Sequence, residues 1–359
     1  MKLIFDCRFI RIDNHDGISR FSSELFTAIS RKTNVTALIS DERQLKWLPA
    51  ETNYVLGNDP TKPLAELFLP VMLNKIGATH VFSPMQTMGT LGKKYKLVLT
   101  LHDLIYYSHP KAPTFLPLHV RIAWRIYHLS FLAVRILLNR ADAVTTVSET
   151  SKQLIEQKKL TKRPVHVIYN APTRDSIDVA SVSQSTITRS KRLVYMGSFM
   201  EYKNVETLIA AMDLLPEYTL VLLSKVSEKR KRKLLELAGQ SSSRIVFRNG
   251  VSEEEYSKEL ATAFALVSAS KDEGFGIPLV EAMQHSTPLV VSNIAIFKEV
   301  AQDAAVYFNH NDPIEFAAAI RSLEVPAEWE KLSTNSRQRA DFFNWDRSAD
   351  LLLEVLEQI

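Results

Sequence analysis

The sequence alternates short apolar, β-branched runs with longer segments of helical character, and it does so twice. The runs of the first half are KLIFD, VTALI, THVFS, KLVLTLH, AVTTVS and VHVIY. Those of the second half are RLVYMG, TLVLLS, RIVFR, FALVSAS, PLVVS and AAVYF. Strands separated by helix-length connections are typical of a mostly parallel sheet with helices on its faces. The alternation therefore predicts an α/β fold in two parts.

The length and one polar stretch indicate where the chain divides. At 359 residues it exceeds the roughly 250–300 at which a single hydrophobic core stops growing. Between the two halves lies PTRDSIDVASVSQSTITRSK, a Ser/Thr-rich stretch typical of an interdomain linker. We predict an N-terminal domain over 1–171, a linker over 172–190, a C-terminal domain over 191–343 and a terminal helix over 344–359.

The composition is that of a globular protein, with 46 % hydrophobic and 23 % charged residues. Cys7 is the single cysteine, which excludes an internal disulfide and a cysteine-based metal cluster and fits a reducing, cytoplasmic setting. The N-terminal run MKLIFDCRF is broken by Asp6 and is too brief for a signal-peptide core, and about 18 apolar residues never run together. We expect neither a membrane span nor an export signal.

The charge is divided unevenly along the chain. Lys and Arg number 24 against 15 Asp and Glu through residue 180, and 20 against 25 from residue 181, so the halves carry +9 and −5. An excess of this size favours an anionic partner for the first half, with plain solubility as the alternative. The basic run EKRKRK at 228–233 is most simply the solvated face of a helix.

Segment 117–140, PLHVRIAWRIYHLSFLAVRILLNR, is the most basic candidate surface, because no Asp or Glu occurs between Asp103 and Asp142. As one helix, at 100° per residue, it places four basic side chains on one face, namely Arg121, Arg125, His128 and Arg135. A helix of this kind can lie on an anionic membrane surface. The other interpretation is a long core helix of the N-terminal domain with an exposed basic stripe.

The loop KDEGFGIPLVEAM at 271–283 has the composition of an anion site. Gly274 and Gly276 allow close approach of a ligand, and a helix starting near Pro278 would direct backbone N–H groups, near Ile277, Leu279 and Val280, towards a phosphate. Glu281, in the first turn, would reach a hydroxyl beside that phosphate, and Glu273 would lie nearer the group that the phosphate carries. A helix start with ordinary acidic residues is the simpler alternative.

The pattern Glu, seven residues, Glu with GFGIP inside it, followed by EAM and TPLVVSN, resembles the retaining glycosyltransferases of family 4. The resemblance extends over nearly the whole chain through GISRFSSEL at 17–25, LHDLIYYSHP at 101–110, ADAVTTVSE, VIYNAP, YMGSFMEYKN at 195–204, FRNGVSEEE, EVAQDAAVYF and FNWDRSA. It implies the GT-B fold: two doubly wound Rossmann-like domains facing each other across a cleft, with the terminal helix returning to the N-terminal domain. The N-terminal domain would then receive the acceptor.

The resemblance implies transfer of a sugar from a nucleotide diphosphate sugar to an acceptor hydroxyl, with retention at the anomeric carbon. GDP-mannose is the favoured donor, because HDLIYYSHP looks most like the loops of mannosyltransferases; UDP-glucose and a UDP-N-acetylhexosamine stay open. The acceptor is a glycolipid precursor or a soluble glycan. No cofactor beyond the donor and no nucleic-acid partner is expected. The expected location is the cytoplasm, including a peripheral position on the inner face of the cytoplasmic membrane.

The resemblance also assigns catalytic roles. Lys203 would stabilise the departing diphosphate, and His102 would contact the donor sugar near the reacting carbon. Glu273 completes the predicted catalytic set. Since the leaving phosphate is expected to take the acceptor's proton, His102 is not expected to be a general base.

The predicted nucleotide-sugar set includes Gly17, which would let the first glycine loop approach donor and acceptor. The whole set is Gly17, Gly197, Ser198, Lys203, Val251, Gly274, Phe275, Gly276, Ile277, Leu279, Val280 and Glu281. The family usually has an arginine after the glycine that corresponds to Gly197, and here that position is Ser198. One phosphate cation is therefore missing or comes from elsewhere; Arg20 is a candidate, with a structural ion pair as its alternative.

Three further expectations concern chemistry that the sequence lacks or leaves open. No Asp-x-Asp and no cluster with ligand spacing occurs, so activity is expected without a metal, and the missing GxGxxG argues against a dehydrogenase. A hydrolase or epimerase using Glu273 and Glu281 as an acid/base pair is the enzyme alternative. A catalytically silent nucleotide-sugar-binding or scaffold protein is the other, and Ser198 favours it.

Overall fold

The computed structural model describes residues 1–13, 15–110, 117–173 and 190–359. The chain divides into two compact units, the first formed by Met1–Asn170 with Asn344–Ile359 and the second by Ala171–Phe343. Most of the predicted linker, residues 174–189, lies outside the described residues.

The first unit is built on a seven-stranded parallel sheet of order β3-β2-β1-β4-β5-β6-β7. Every predicted run of the first half contains one of its strands. The apolar runs do not predict β3, because this edge strand has three residues and two of its side chains, Tyr54 and Leu56, are exposed. The strands are β1 (Leu3–Asp6), β2 (Val35–Ile39), β3 (Tyr54–Leu56), β4 (His80–Ser83), β5 (Lys96–Thr100), β6 (Ala143–Thr146) and β7 (Val165–Val167).

Helices connect these parallel strands. They are α1 (Gly17–Ser30), α2 (Pro63–Glu66), α3 (Leu69–Lys75), α4 (Ile105–Ser108), α5 (Leu118–Tyr127), α6 (Leu132–Asn139) and α7 (Glu149–Gln157). Side chains of α3, α6 and α7 share one buried cluster with strands β1, β2, β4, β5 and β6. The alternating apolar runs of the sequence are thus buried under helices, as a parallel sheet requires.

The second unit repeats the plan with a six-stranded parallel sheet of order β10-β9-β8-β11-β12-β13. Its strands are β8 (Arg192–Tyr195), β9 (Thr219–Leu222), β10 (Ile245–Phe247), β11 (Ala265–Ser268), β12 (Leu289–Ser292) and β13 (Ala305–Phe308). Its helices are α8 (Val205–Ala210), α9 (Glu228–Ala238), α10 (Glu253–Thr262), α11 (Ile277–Gln284), α12 (Ala295–Ala301), α13 (Pro313–Ser322) and α14 (Pro326–Ala340).

Both sheets reverse their strand order at one point, between β1 and β4 in the first and between β8 and β11 in the second. In open parallel sheets this switch point leaves a crevice at the carboxyl ends of the strands, where ligands bind. The predicted fold class of two doubly wound Rossmann-like domains is confirmed. No helix among the described residues is both long and apolar enough to span a bilayer.

The C-terminal helix α15 (Trp345–Glu357) belongs to the first unit. It packs along α1, with the Trp345 ring edge-on to Phe21 at 5.9 Å between ring centroids. Two ion pairs join the residues just after α1 to α15, Arg31 to Asp346 at 2.9 Å and Lys32 to Asp350 at 2.7 Å. The chain thus returns to its first unit after completing the second.

Segment 117–140 is not the single helix that the sequence analysis assumed. It forms α5 and α6, separated at 128–131. The His128 ring forms a hydrogen bond through Nδ1 with the Trp124 carbonyl at 2.8 Å and packs among aromatic rings. It is therefore not part of the predicted basic face. The Arg135 guanidinium donates to the carbonyls of Lys158 and Lys159. The interpretation as a long core helix is also wrong, because the segment forms two helices and none of the described side chains of α5 is fully buried.

A buried ionic network occupies the switch point of the first unit. The Arg8 side chain, which has no exposed surface, donates to Asp6 at 2.8 Å and to Glu66 at 2.5 Å. Ser83, which ends β4, donates to Asp6 at 2.9 Å, and the Gly89 N–H donates to Glu66 at 2.9 Å. The network therefore ties the loops after β1 and β4 to α2.

Replacing Arg8 by leucine should destabilise the first unit by about 3–5 kcal/mol, because two carboxylates would stay buried without their cation. Urea unfolding followed by circular dichroism measures this loss. Arg43→Leu is the control, since the Arg43–Asp41 pair is exposed and such pairs contribute little. Equal midpoints for the two variants would contradict a structural role for the network.

Candidate functional site

Lys203 and Glu273, predicted to act on different parts of one ligand, meet in an ion pair. Lys203 ends the short 3-10 turn Glu201–Lys203 after β8, and Glu273 follows β11. Because β8 and β11 are paired neighbours, their loops lie side by side, and Lys203 Nζ is 2.5 Å from Glu273 Oε1. The two side chains are 16 % and 13 % exposed, so the pair is accessible from solvent.

Further hydrogen bonds fix the loop that carries Glu273. Ser270 donates its hydroxyl to Glu273 Oε1 at 2.9 Å, and the Ser292 hydroxyl donates to the Ser270 carbonyl at 2.5 Å. The Lys271 N–H donates to the Tyr202 carbonyl at 2.7 Å, which joins this loop to the loop of Lys203. The carboxylate of Glu273 is therefore preorganised by its neighbours.

Asn204 holds the other side of the pair. It stands directly before α8 in the left-handed conformation, at φ +50°, which asparagine tolerates better than most residues. Its side-chain amide donates to the His310 carbonyl at 2.5 Å and to Thr207 Oγ1 at 3.0 Å. The dipeptide Lys203–Asn204 thus positions the cation at the start of a helix.

The turn after β8 explains Gly197 but provides no second cation. A Cβ at Gly197 would lie 2.8 Å from the hydroxyl oxygen of Tyr195, which donates to the Ser198 carbonyl at 2.7 Å. The Gly197 N–H donates to Ser224 Oγ at 3.0 Å. Burial raises the pKa of Tyr195 well above its usual value, so the hydroxyl stays a donor. Ser198 itself is exposed and brings no positive charge.

Helix α11 begins where the sequence predicts, but its first turn differs in two ways. Gly276 has φ +93°, a conformation that favours glycine, and precedes the first helical residue Ile277. The Leu279 N–H is not free, because a tight turn directs it to the Gly276 carbonyl at 2.9 Å. Glu281 is the fifth helical residue and so lies in the second turn, not the first.

Several predicted contact residues turn their side chains into the protein. Phe275 is 4 % exposed and packs edge-on against Phe343 at 5.6 Å between ring centroids. Leu279 and Val280 are buried as well, and Gly274 has no side chain. Their contact with a ligand would therefore have to come from the backbone.

Tyr256 is a partner of Glu281 that the sequence analysis missed. The hydroxyl of this α10 residue donates to Glu281 Oε2 at 2.8 Å, and both side chains are buried. Helix α10 follows the predicted residue Val251, which is partly buried after Gly250 at φ +102°. Tyr256 and Glu281 are 25 positions apart, so no local spacing predicts their contact, which depends on how α10 packs against α11.

In the first unit, His102 follows β5 as predicted. Its Nε2 is 2.8 Å from the Pro84 carbonyl, so Nε2 carries the proton, because a carbonyl only accepts. The ring meets Phe21 edge-on at 5.0 Å between centroids. Burial lowers the pKa of His102 to about 4, which leaves the imidazole neutral at physiological pH.

Gly17 does not belong to a loop. It is the first residue of α1, because Asp16 accepts the N–H of Ser19 at 2.9 Å and caps the helix there. Gly17 is exposed at the start of this helix, where the lack of a side chain would still allow a ligand to approach the backbone. Arg20, one turn further on, lies close enough to His15 that its charge adds to burial in lowering the pKa of His15 to about 4.

Among the described residues, no group of three or more His, Cys, Asp or Glu side chains is placed to hold a metal ion. Three lysines bring positive charge to the carboxyl edge of the second sheet. Lys203 is paired with Glu273, whereas Lys225 and Lys271, in the loops after β9 and β11, are exposed.

The His102 ring should stay neutral from pH 8 to pH 5, because its pKa lies near 4 in the folded protein and near 6.5 when unfolded. Its contribution to stability should be complete above pH 6.5 and decline as the pH falls towards 4. Histidine-ring NMR checks the first statement and urea midpoints the second. His102→Gln, which keeps an N–H donor but cannot titrate, should lose less stability on acidification. A ring that titrates near 6.5 would contradict this assignment.

Two family profiles match the chain. Glycosyltransferase Family 4 matches residues 73–172, all but the last two in the first unit, and Glycosyl transferases group 1 matches residues 180–339, in the second. With the two doubly wound sheets, these matches define a protein of the GT-B glycosyltransferase class. The chain belongs to glycosyltransferase family 4, as the resemblance of its motifs predicted.

Curated relatives include two enzymes that are named mannosyltransferases. The chain is 27 % identical over 255 residues to the O-antigen chain mannosyltransferase RfbU of Salmonella typhimurium, covering 68 % of this chain and 66 % of RfbU. It is 33 % identical over 117 residues to the serotype-specific mannosyltransferase WbdA of Escherichia coli, covering 33 % of this chain and 14 % of WbdA. The matched region therefore spans less than two thirds of the length of either relative.

Solved structures share the fold over nearly the whole chain. Sucrose-phosphate synthase from Thermosynechococcus elongatus has a TM-score of 0.74 at 18 % identity and covers 99 % of this chain and 98 % of its own. HepE of Anabaena, solved in complex with UDP and glucose, has a TM-score of 0.71 at 17 % identity with both chains fully covered. Identities this low establish the GT-B fold alone.

Proposed function

We propose that this protein is a retaining glycosyltransferase that moves a hexose from a nucleotide diphosphate sugar to a hydroxyl of a glycolipid or glycan. The observation that carries the proposal is the Lys203–Glu273 pair at the switch point of the second sheet. A cation and a carboxylate side by side suit a ligand with a diphosphate next to a polyol. Membership in family 4 makes a nucleotide sugar the expected ligand.

The proposed reaction breaks the bond between the anomeric carbon and the β-phosphate oxygen and forms a bond to the acceptor oxygen on the same face. The acceptor's proton passes to the departing phosphate oxygen, so no protein base is needed. Charge accumulates on the diphosphate as the bond breaks. Lys203 and the N–H groups at the start of α11 are the groups proposed to stabilise that charge.

Glu273 and Glu281 have different partners, which supports different tasks. Glu273 is preorganised by Lys203 and Ser270, and we assign it to the sugar and the charge that develops around it. Glu281 is held by Tyr256 in the second turn of α11, and we assign it to the ribose hydroxyls. An acid/base pair of a hydrolase would instead need both carboxylates to flank one bond. His102 keeps the proposed contact with the donor sugar.

Mannose from GDP-mannose stays the favoured donor. RfbU and WbdA, which the chain resembles, are both named mannosyltransferases. UDP-glucose is the main alternative, because the structurally similar HepE was solved in complex with UDP-glucose. A panel of nucleotide sugars, with release of free nucleotide measured with and without acceptor, distinguishes these donors and also a catalytically silent protein, which would release none.

A glycolipid acceptor would bring the protein to a membrane surface. RfbU is named an O-antigen chain mannosyltransferase, which supports a glycan chain as the acceptor. We therefore include peripheral association with the inner face of the cytoplasmic membrane in the proposal.

Removing the two carboxylates should have different effects. Glu281→Ala should weaken the nucleoside diphosphate and the intact donor alike, by about 10- to 150-fold, since one charge-assisted hydrogen bond contributes roughly 1.5–3 kcal/mol. Glu273→Ala should not weaken the free nucleoside diphosphate but should depress transfer, because its partner is the sugar. Calorimetric titration with GDP and UDP measures affinity.

Glu236→Ala, at an exposed position of α9, is the control for surface charge. Tyr256→Phe should weaken nucleotide binding less than Glu281→Ala does, because it removes only the hydroxyl that holds the carboxylate. Equal loss of nucleotide affinity in Glu273→Ala and Glu281→Ala, or loss in neither, would contradict the division of tasks.

Transfer should survive chelation, because Lys203 and the helix N–H groups are proposed to act where other transferases use a divalent cation. The rate with the cognate donor should be unchanged after dialysis against EDTA. Lys203→Ala should lower that rate whether or not Mg²⁺ or Mn²⁺ is added. Abolition by EDTA with rescue by either metal would show the account of the diphosphate to be wrong.

A further inference from the structure

Helix α5 is apolar on its outer side as well as its inner side. Leu118, Ile122, Ile126 and Leu129 follow at spacings of four, four and three residues, and they are 70 %, 53 %, 64 % and 73 % exposed. The inner side packs through aromatic rings, with Trp124 edge-on to Tyr106 at 4.7 Å between centroids. The helix also carries Arg121 and Arg125, so it is amphipathic, yet none of its described side chains is fully buried. Exposed large apolar side chains at helical spacing are typical of a surface that contacts a membrane or a partner.

Two neighbouring helices continue the exposed apolar surface. On α6, Val134 and Leu138 are buried against the sheet, while Leu132 and Ile136 are 63 % and 47 % exposed. The α2–α3 region exposes a second group of large apolar side chains, together with one in the loop after β4. These are Leu64, Leu67, Phe68, Val71 and Leu91, between 48 % and 78 % exposed.

Hydrogen bonds place the two groups next to each other. Asn74 of α3 donates to the Gly92 carbonyl at 2.9 Å, and Arg140 after α6 reaches Thr90 Oγ1 at 3.5 Å. Both helices therefore flank residues 90–92. Leu73 of α3 and Leu138 of α6 also belong to the same buried cluster beneath them. Helices α3 and α6 are therefore neighbours, α2 directly precedes α3, and α5 directly precedes α6. The exposed apolar side chains of these four helices are termed here the apolar face.

Most charges around the apolar face are positive, with Asp59 beside Lys62 as an exception. Arg121 and Arg125 lie on α5 and are exposed, and no Asp or Glu occurs between Asp103 and Asp142. Exposed lysines flank α2 and α3, namely Lys62, Lys75 and Lys94. Glu66 of α2 is buried in an ion pair with Arg8, so its charge does not offset the charges of these lysines. The surface therefore complements an anionic partner that also offers an apolar phase.

We propose that the apolar face inserts into the surface of an anionic lipid bilayer. A bilayer presents phosphate groups and hydrocarbon within a few ångströms of each other, which matches arginines interleaved with isoleucine and leucine. A second protein would have to supply carboxylates for Arg121 and Arg125 within an otherwise apolar interface. Insertion of apolar side chains distinguishes this proposal from adsorption through the basic residues alone.

The apolar face is linked to the loop of His102. Helix α4 follows that loop, and its Tyr107 stacks on Phe131 at 4.4 Å between centroids, directly before α6. A bilayer in contact with α5 and α6 would therefore lie close to the carboxyl edge of the first sheet. This step rests on the proposed function: it would present a glycolipid headgroup to the acceptor side.

Single-cysteine labelling tests the insertion. Cys7 is the only native cysteine and is buried with a raised pKa, so an added surface cysteine can be labelled selectively. Ile126→Cys and Phe68→Cys would carry a polarity-sensitive fluorophore, with Ile314→Cys of α13, 70 % exposed, as control. Vesicles of phosphatidylcholine with phosphatidylglycerol should shift the emission of the first two to the blue. No shift at Ile126→Cys would overturn the proposal, and no shift at Phe68→Cys would exclude α2 and α3.

Vesicle sedimentation separates the apolar and electrostatic contributions. Ile122→Ser with Ile126→Ser should weaken partitioning about tenfold or more at any salt concentration. Arg121→Gln with Arg125→Gln should weaken it about fivefold per arginine at low salt and little at high salt. Leu237→Ser with Ile314→Ser, at exposed positions of the second unit, is the matched control. Equal binding by the isoleucine variant and this control would overturn insertion.

Two further outcomes separate this inference from the proposed function and from a protein partner. Vesicle binding without any sugar transfer would count against the proposed function alone, since no nucleotide is present in the binding assay. Transfer to a soluble acceptor without vesicle binding would overturn the apolar face alone. A dimer in light scattering that Ile122→Ser with Ile126→Ser dissociates would show that a second copy covers the face.

Discussion

The pairing of β11 with β8 is the contact on which the candidate site depends. Lys203 and Glu273 are 70 residues apart in sequence, and their side chains meet because the sheet adds β9 and β10 on one side of β8 and β11 on the other. Parallel strands joined by right-handed crossovers place their following loops at one edge. At the reversal, helices lie on opposite faces and leave that edge uncovered. Neither side chain would be near the other in a sheet of sequential order.

In the first unit, different groups occupy the point where the strand order reverses. Asp6 ends β1 and Ser83 ends β4, and the space beyond them is occupied by Arg8 with its two carboxylate partners. Breaking that network would leave charges in the interior, so the loops it holds are expected to keep one arrangement. The Lys203–Glu273 pair contains one cation and one carboxylate, both partly exposed, with Ser270 as a further donor to Glu273. Separating it for a ligand should therefore cost less free energy than breaking the fully buried network of Arg8.

The elements that the sequence predicted are those that a local pattern determines. Twelve apolar runs each contain a strand, and the start of α11 follows from Gly276 and Pro278. What the sequence could not provide are contacts between distant elements, such as Tyr256 with Glu281 and Ser270 with Glu273. Segment 117–140 shows a second limit of prediction from the sequence, which is the position of a helix end. Its continuous helical periodicity concealed a break at 128–131, where packing of the His128 ring against Trp124 replaces helical continuation.

Ser198 stands where the family usually has an arginine, so Lys203 is the main side-chain cation proposed for the diphosphate. Lys203 is neutralised by Glu273 before any ligand arrives, so a diphosphate must compete with that carboxylate for the cation. Once displaced, the carboxylate needs other donors, and the hydroxyl groups of a bound sugar would supply them. A nucleoside diphosphate without its sugar would leave Glu273 with fewer partners. The ion pair would then favour binding of the intact donor over binding of the product. Because Ser198 supplies no second cation to the diphosphate, release of the nucleoside diphosphate after transfer would also be easier.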